Sequence, residues 1–177
     1  MPFVVHFKIF EPGKTAACYQ TSDRTLAYVE WNERKRRGDM VRMVPDVTYI
    51  AGSSQDEYVW LVYRVLKAIR KYYDERSQVP KSQSDENLRA SLALERALDN
   101  KNAKTRLWLQ QHPNSTPDNP TAFAFFQVVE AWRNRWHEYF IYKKRPDKDP
   151  KWEAKLRDDC LAMETEIKKY VRKVIGL

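Results

Sequence analysis

Phe3, Val5, Phe7 and Ile9 alternate with Val4, His6, Lys8 and Phe10, a period of two that predicts a strand with one buried face. Glu11-Pro12-Gly13-Lys14 supplies a turn, and Thr15 to Thr21 can return as a second strand, which makes a hairpin. A two-residue turn on Pro12-Gly13 sets Phe7 opposite Cys18 and His6 opposite Tyr19. Cys18 then points toward the core and His6 to the other face, because side chains alternate across a sheet. Residues 23 to 37 admit two readings. One is a helix capped by Ser22, running through Leu26 and Val29 to Arg34-Lys35-Arg36-Arg37; the other is a strand from Leu26 to Trp31. The helix is preferred, since cations suit a helix C-terminus and Gly38 suits a left-handed cap. Met40 to Val44 and Val47 to Ala51 read as short strands broken by Pro45-Asp46.

From residue 54 the apolar spacing becomes helical. Ser54 with Glu57 forms a capping box, followed by Val59, Val62, Leu66, Ile69 and Tyr73 in a helix that runs to about Gln78. Ser84-Asp85-Glu86-Asn87 opens a second segment, less regular through Leu88, Leu92, Glu95 and Leu98, with a possible break at Asp99 to Asn102 before Trp108. Asn119-Pro120 and Asp149-Pro150 each place a capping residue before a proline at the first helical position. The helices they start carry Phe125, Val129, Trp132, Trp136 and Tyr139, then Trp152, Leu156, Cys160, Met163, Ile167, Tyr170 and Val174. Gln111 to Asn119 and Lys143 to Pro150 read as loops. Glu153 with Arg157, Lys155 with Asp159, and Glu164 with Lys168 are opposite charges four residues apart that mark a solvated face.

Composition narrows the architecture. Four glycines in 177 residues are few for a dinucleotide fold or a β-sandwich, while a 42% apolar share with 13% aromatics supplies a core. The expected fold class is α+β, mostly α: an N-terminal β-hairpin or small antiparallel sheet packed on a bundle of about four helices. The length is that of one domain over residues 1–177, β-rich to residue 53 and helical from 54. No stretch has the apolar length of a membrane span and the N-terminus lacks a secretory pattern. A cytoplasmic protein without membrane contact is therefore expected.

Chemistry-bearing motifs are scarce. The three histidines, His6, His112 and His137, are scattered, and Cys18 and Cys160 have no CxxC spacing, so no metal site and no redox motif is expected. His6 and Cys18 on facing strands would point to opposite faces, which leaves a Cys/His nucleophile unsupported. No GxxxxGK[ST] or GxGxxG occurs, so no phosphate loop and no small-molecule cofactor is expected. Acid pairs such as Glu30 with Glu33, Asp56 with Glu57 and Asp158 with Asp159 each have a simpler role, and no catalytic residue is assigned.

What remains is basic charge interleaved with aromatics, on a chain of net charge +8. Two clusters stand out: Arg34, Lys35, Arg36 and Arg37 with Arg42, and Arg133, Arg135, Lys143, Lys144 and Arg145. Residues 120–145 hold five cations against two acids. Such groups would neutralise backbone phosphates of RNA or DNA, while Trp31, Tyr139 and Tyr142 could stack on bases. Against this stands a plainer reading, in which Trp132, Trp136 and Tyr139 face the core and the cations are solvated helix ends. The expectation is a non-enzymatic nucleic-acid-binding protein. The alternative is a protein-interaction subunit or inhibitor of a larger assembly, of a phage or mobile-element type, since aromatics and Arg favour interface hot spots. An enzyme whose site is assembled from distant residues comes third.

Overall fold

The computed structural model describes the backbone of residues 1–75, 81–114 and 119–177, and the side chains of all of these but 70–75, 81–85 and 87. The elements run β1 (Phe3–Phe10), β2 (Tyr19–Thr21), α1 (Arg24–Arg36), β3 (Arg42–Tyr49), α2 (Ser54–Glu75), α3 (Lys81–Gln111), α4 (Pro120–Lys143) and α5 (Pro150–Ile175). The fold is α+β and mostly α, with a three-stranded antiparallel sheet at the N-terminus. Two compact units divide the chain: Met1–Glu57 with Arg172–Leu177, and Tyr58–Val171.

In the first unit β1 is central, in the order β2-β1-β3. Phe3, Phe7 and Ile9 of its predicted apolar row are buried, as is Val47 of β3. The hairpin register differs from expectation. Ile9 lies opposite Tyr19 and Phe7 opposite Thr21, because β2 is only three residues long and the connection is a broad loop, not a two-residue turn. Within that loop the Lys14 amide donates to the Glu11 carbonyl and the Cys18 amide to the Ile9 carbonyl. An odd shift in register reverses the faces, and Cys18 is exposed instead of core-facing.

β3 also departs from expectation, running unbroken from Arg42 to Tyr49 through Pro45. As an outer strand it pairs on one side only, and a proline is tolerated where its missing donor faces a free edge. The segment 24–36 is helical, as preferred, but the N-cap is Asp23 and not Ser22; its Oδ1 accepts from the Leu26 amide. Gly38 follows the helix at φ +89°, the left-handed conformation in which a side chain would be strained. Along the helix Ala27 is buried, whereas Leu26 and Val29 are half-exposed.

The capping box of α2 is one residue earlier than expected. Asp56 Oδ2 accepts from the Ser53 amide and hydroxyl, and Ser53 Oγ accepts from the Asp56 amide. Val59, Val62, Leu66 and Ile69 are buried at their predicted spacing; the predicted end at Gln78 lies outside the described residues, as does part of the loop expected before Asn119. α3 begins at Lys81 rather than Ser84 and continues through Asp99–Asn102 without a break. Long-range contacts outweigh the weak local propensity there: buried Asn102 accepts from the Tyr58 hydroxyl at 2.7 Å, and Asp99 is held by Arg133. α4 starts as predicted, with Asn119 Oδ1 accepting from the Ala122 amide and Pro120 in the first turn. Asp149 caps α5 through the Lys151 amide. Of the three expected ion pairs on α5, only Glu164 with Lys168 forms; Glu153 meets Lys148 instead, and Asp159 lies 3.7 Å from Arg135.

Candidate functional site

The end of α1 and the start of β3 bring Lys35 and Arg42 of the first basic cluster to the rim of one depression, with Arg36 and Arg37 next in the chain after Lys35. Successive turns of α1 carry Tyr28, Trp31 and Lys35, residues three and four apart that share a helix face. Tyr28 meets Trp31 edge-on at 6.1 Å, and the Lys35 ammonium sits 4.1 Å from the Trp31 ring centre, a cation–π contact that orders a flexible side chain. Trp31 is itself fixed, since its Nε1 donates to the Val41 carbonyl at 3.3 Å. Beside this lies an open depression of about 770 Å³, whose rim includes Lys14, Lys35 and Arg42 around Phe10 and Met40. The Arg42 guanidinium lies over the Phe10 ring at 5.2 Å, and Arg42 is exposed.

The five basic residues of this cluster do not play one role. Arg34 is only one-fifth exposed and donates from Nε to Glu30 Oε1 at 2.6 Å; that hydrogen bond holds its guanidinium above the ordinary value. It is a structural cation. Lys35, Arg36, Arg37 and Arg42 are exposed and form no ion pair among the described residues. Lys14, on the opposite rim and not singled out by the sequence, is likewise exposed. Glu11 and Asp39 share the rim, so the local field is positive without being uniformly so.

The second cluster is split by burial. Arg133 is 3% exposed, and its guanidinium grips Asp99 with two parallel hydrogen bonds, Nε to Oδ1 at 2.9 Å and Nη2 to Oδ2 at 3.1 Å, while Nη1 reaches Glu95 at 3.2 Å. Burial alone would weaken this charge, and the hydrogen bonds and charges of Asp99 and Glu95 outweigh it, raising Arg133 above its ordinary value. For Asp99, burial works to raise the carboxyl; the bonds and charge of Arg133, with His137 at 3.2 Å, prevail and hold it below the usual carboxylate value. Arg133 is thus committed inside the helical unit and is not offered to a phosphate. Arg135 pairs with Glu138 at 2.7 Å. Lys143, Lys144 and Arg145 stay exposed at the end of α4, Lys143 near the Tyr139 ring and Arg145 near that of Tyr142. Trp132 is fully buried, consistent with a core role.

Neither Asp99 nor Glu95 was singled out as an Arg133 partner by the sequence, and no local signal could have done so, because they lie 34 and 38 residues away. The two thiols differ sharply. Cys18 is exposed with Sγ 3.3 Å from the Ile9 carbonyl, whereas Cys160 is buried and burial pushes its thiol up to about 11. Among the described residues no three His, Cys, Asp or Glu side chains converge as a metal site would require, and no helix is long and apolar enough to cross a membrane. No protein-family model, no curated protein and no solved structure matches this chain.

Proposed function

We propose that the first unit binds nucleic acid through its phosphate backbone, using Lys35, Arg36, Arg37 and Arg42 with Lys14 across the depression. The observation that carries this reading is the contrast in charge pairing. Arg34, Arg133 and Arg135 are spent on carboxylates, while these five cations form no ion pair among the described residues and gather on one rim or beside it. Unpaired cations gain most from meeting a phosphate chain, because binding releases its condensed counterions. The ordering of Lys35 by Trp31 and of Arg42 by Phe10 lowers the entropy lost on contact. Phosphate contacts carry no base information, so little sequence preference is expected.

A quadruple Lys35→Ala, Arg36→Ala, Arg37→Ala, Arg42→Ala variant tests this by fluorescence anisotropy with labelled single-stranded RNA, single-stranded DNA and duplex DNA at 50 mM salt. Binding by the parent and loss in the still-folded variant is the expected outcome. Retention by the variant, with loss in Lys143→Ala, Lys144→Ala, Arg145→Ala, would move function to the end of α4.

The protein-interaction reading draws on a separate feature, the half-exposed Leu26 and Val29 on α1. Apolar groups left open on a helix favour a protein partner over a phosphate chain. Absence of binding to all three probes would make it the better account.

A further inference from the structure

A cavity of about 400 Å³ lies within the helical unit, among α2, α3 and α4, within the size range of small-molecule sites. We infer that it binds a small amphipathic anion, an organic acid with an apolar body. This goes beyond the nucleic-acid reading and uses a different unit of the chain. Its apolar wall is built by Leu88 and Leu92 of α3 with Trp136 and Phe140 of α4, the two rings meeting edge-on at 4.9 Å. Leu92 is 41% exposed, so part of this wall is open to solvent and would gain by being covered.

Charge selects the sign of the ligand. At the inner end Arg133 meets two acids, Glu95, which lines the cavity beside it, and Asp99, so that end carries no excess of positive charge. At the other end Lys143 and Lys144 line the same cavity, exposed and without an ion pair among the described residues. Among the described residues the positive charge without an acidic partner therefore sits at the Lys143–Lys144 end of the apolar wall, away from Glu95 and Asp99. A carboxylate would meet the ammonium groups while its tail covers Trp136, Phe140 and Leu92; a cation with the same tail would be repelled there.

Isothermal titration calorimetry of the full chain with sodium decanoate, and with decylammonium chloride as a probe of equal tail and opposite charge, tests the inference. Decanoate is expected to bind and decylammonium to bind more weakly. The Lys143→Glu, Lys144→Glu variant, altered only at exposed positions, is expected to lower decanoate affinity by about tenfold. Leu92→Trp, which fills the cavity from a partly exposed position, is expected to abolish binding. Equal binding of the two probes, no binding of decanoate, or a charge-reversed variant that binds decanoate as the parent does would each overturn it. Nucleic-acid binding through Lys35 to Arg42 would persist in both variants, so the two readings fail separately.

Discussion

Replacing Arg133 by Met removes the guanidinium while keeping an unbranched apolar side chain of similar reach. In the parent it joins Asp99 and Glu95, and Arg133 itself is 3% exposed. Breaking a buried pair costs about 3 to 5 kcal/mol because the partner charge is left uncompensated. Asp99 is 34% exposed and Glu95 16%, so water recovers part of that loss, and the lower end, about 3 kcal/mol, is expected. For a chain of this length that corresponds to a fall in Tm of about 6 to 12 °C. Lys169→Ala is the control. It breaks a pair exposed on both sides, and its effect should stay within about 0.5 kcal/mol. The pH dependence follows from Asp99, whose folded value is depressed. A depressed carboxyl contributes stability above its unfolded value, near pH 4, and loses it as pH falls through the folded value. Asp99→Asn should therefore be destabilised at neutral pH and approach the parent in strong acid. The Arg133→Met, Asp99→Asn pair should cost less than the sum of the two, since the second change removes an acid the first leaves unpaired. Thermal melts followed by far-UV circular dichroism give these values. An Arg133→Met Tm no lower than that of Lys169→Ala would refute the buried-network argument.

Three further outcomes follow from local geometry. A maleimide at pH 8 should label Cys18 in the native protein and reach Cys160 only after unfolding, because Cys160 is buried and its thiol is raised to about 11; equal rates at both thiols would contradict the assigned burial. Tyr58→Phe should destabilise by about 1 to 2 kcal/mol in urea titrations, since it leaves Asn102 Oδ1 buried without its donor. Asp23→Ala should cost about 1 kcal/mol by removing the acceptor at the start of α1, whereas Ser22→Ala should cost much less; the reverse order would restore Ser22 as the cap.

Much of the architecture is legible in local sequence because its signals act over a few residues. The alternation in Phe3–Phe10, the Asn119-Pro120 and Asp149-Pro150 starts and the left-handed Gly38 each depend on neighbours within a turn. The misread elements depend on distant partners. β3 tolerates Pro45 because it is an outer strand, a fact no local window contains. The hairpin register is lost with the assumption of a two-residue turn. α3 looked weak because its buried positions include Ser91 and Asn102 rather than an apolar stripe. The basic residues were visible as such. Which of them are free was not, since pairing across 34 or 38 residues separates Arg133 from Arg36, and only the fold brings those acids near.

The central claim is that Lys14, Lys35, Arg36, Arg37 and Arg42 form a phosphate-contacting surface, and its most direct test is the salt dependence of binding by the parent protein. Five phosphate contacts predict that log K falls against log salt with a slope of about −4.5 on duplex DNA and about −3.5 on single strands. Between 50 and 200 mM salt that is a loss of roughly 500-fold and roughly 130-fold respectively. Arg36→Ala, Arg37→Ala should reduce the slope to about −2.7 on duplex. A slope near zero, or no binding at 50 mM salt, would contradict the account.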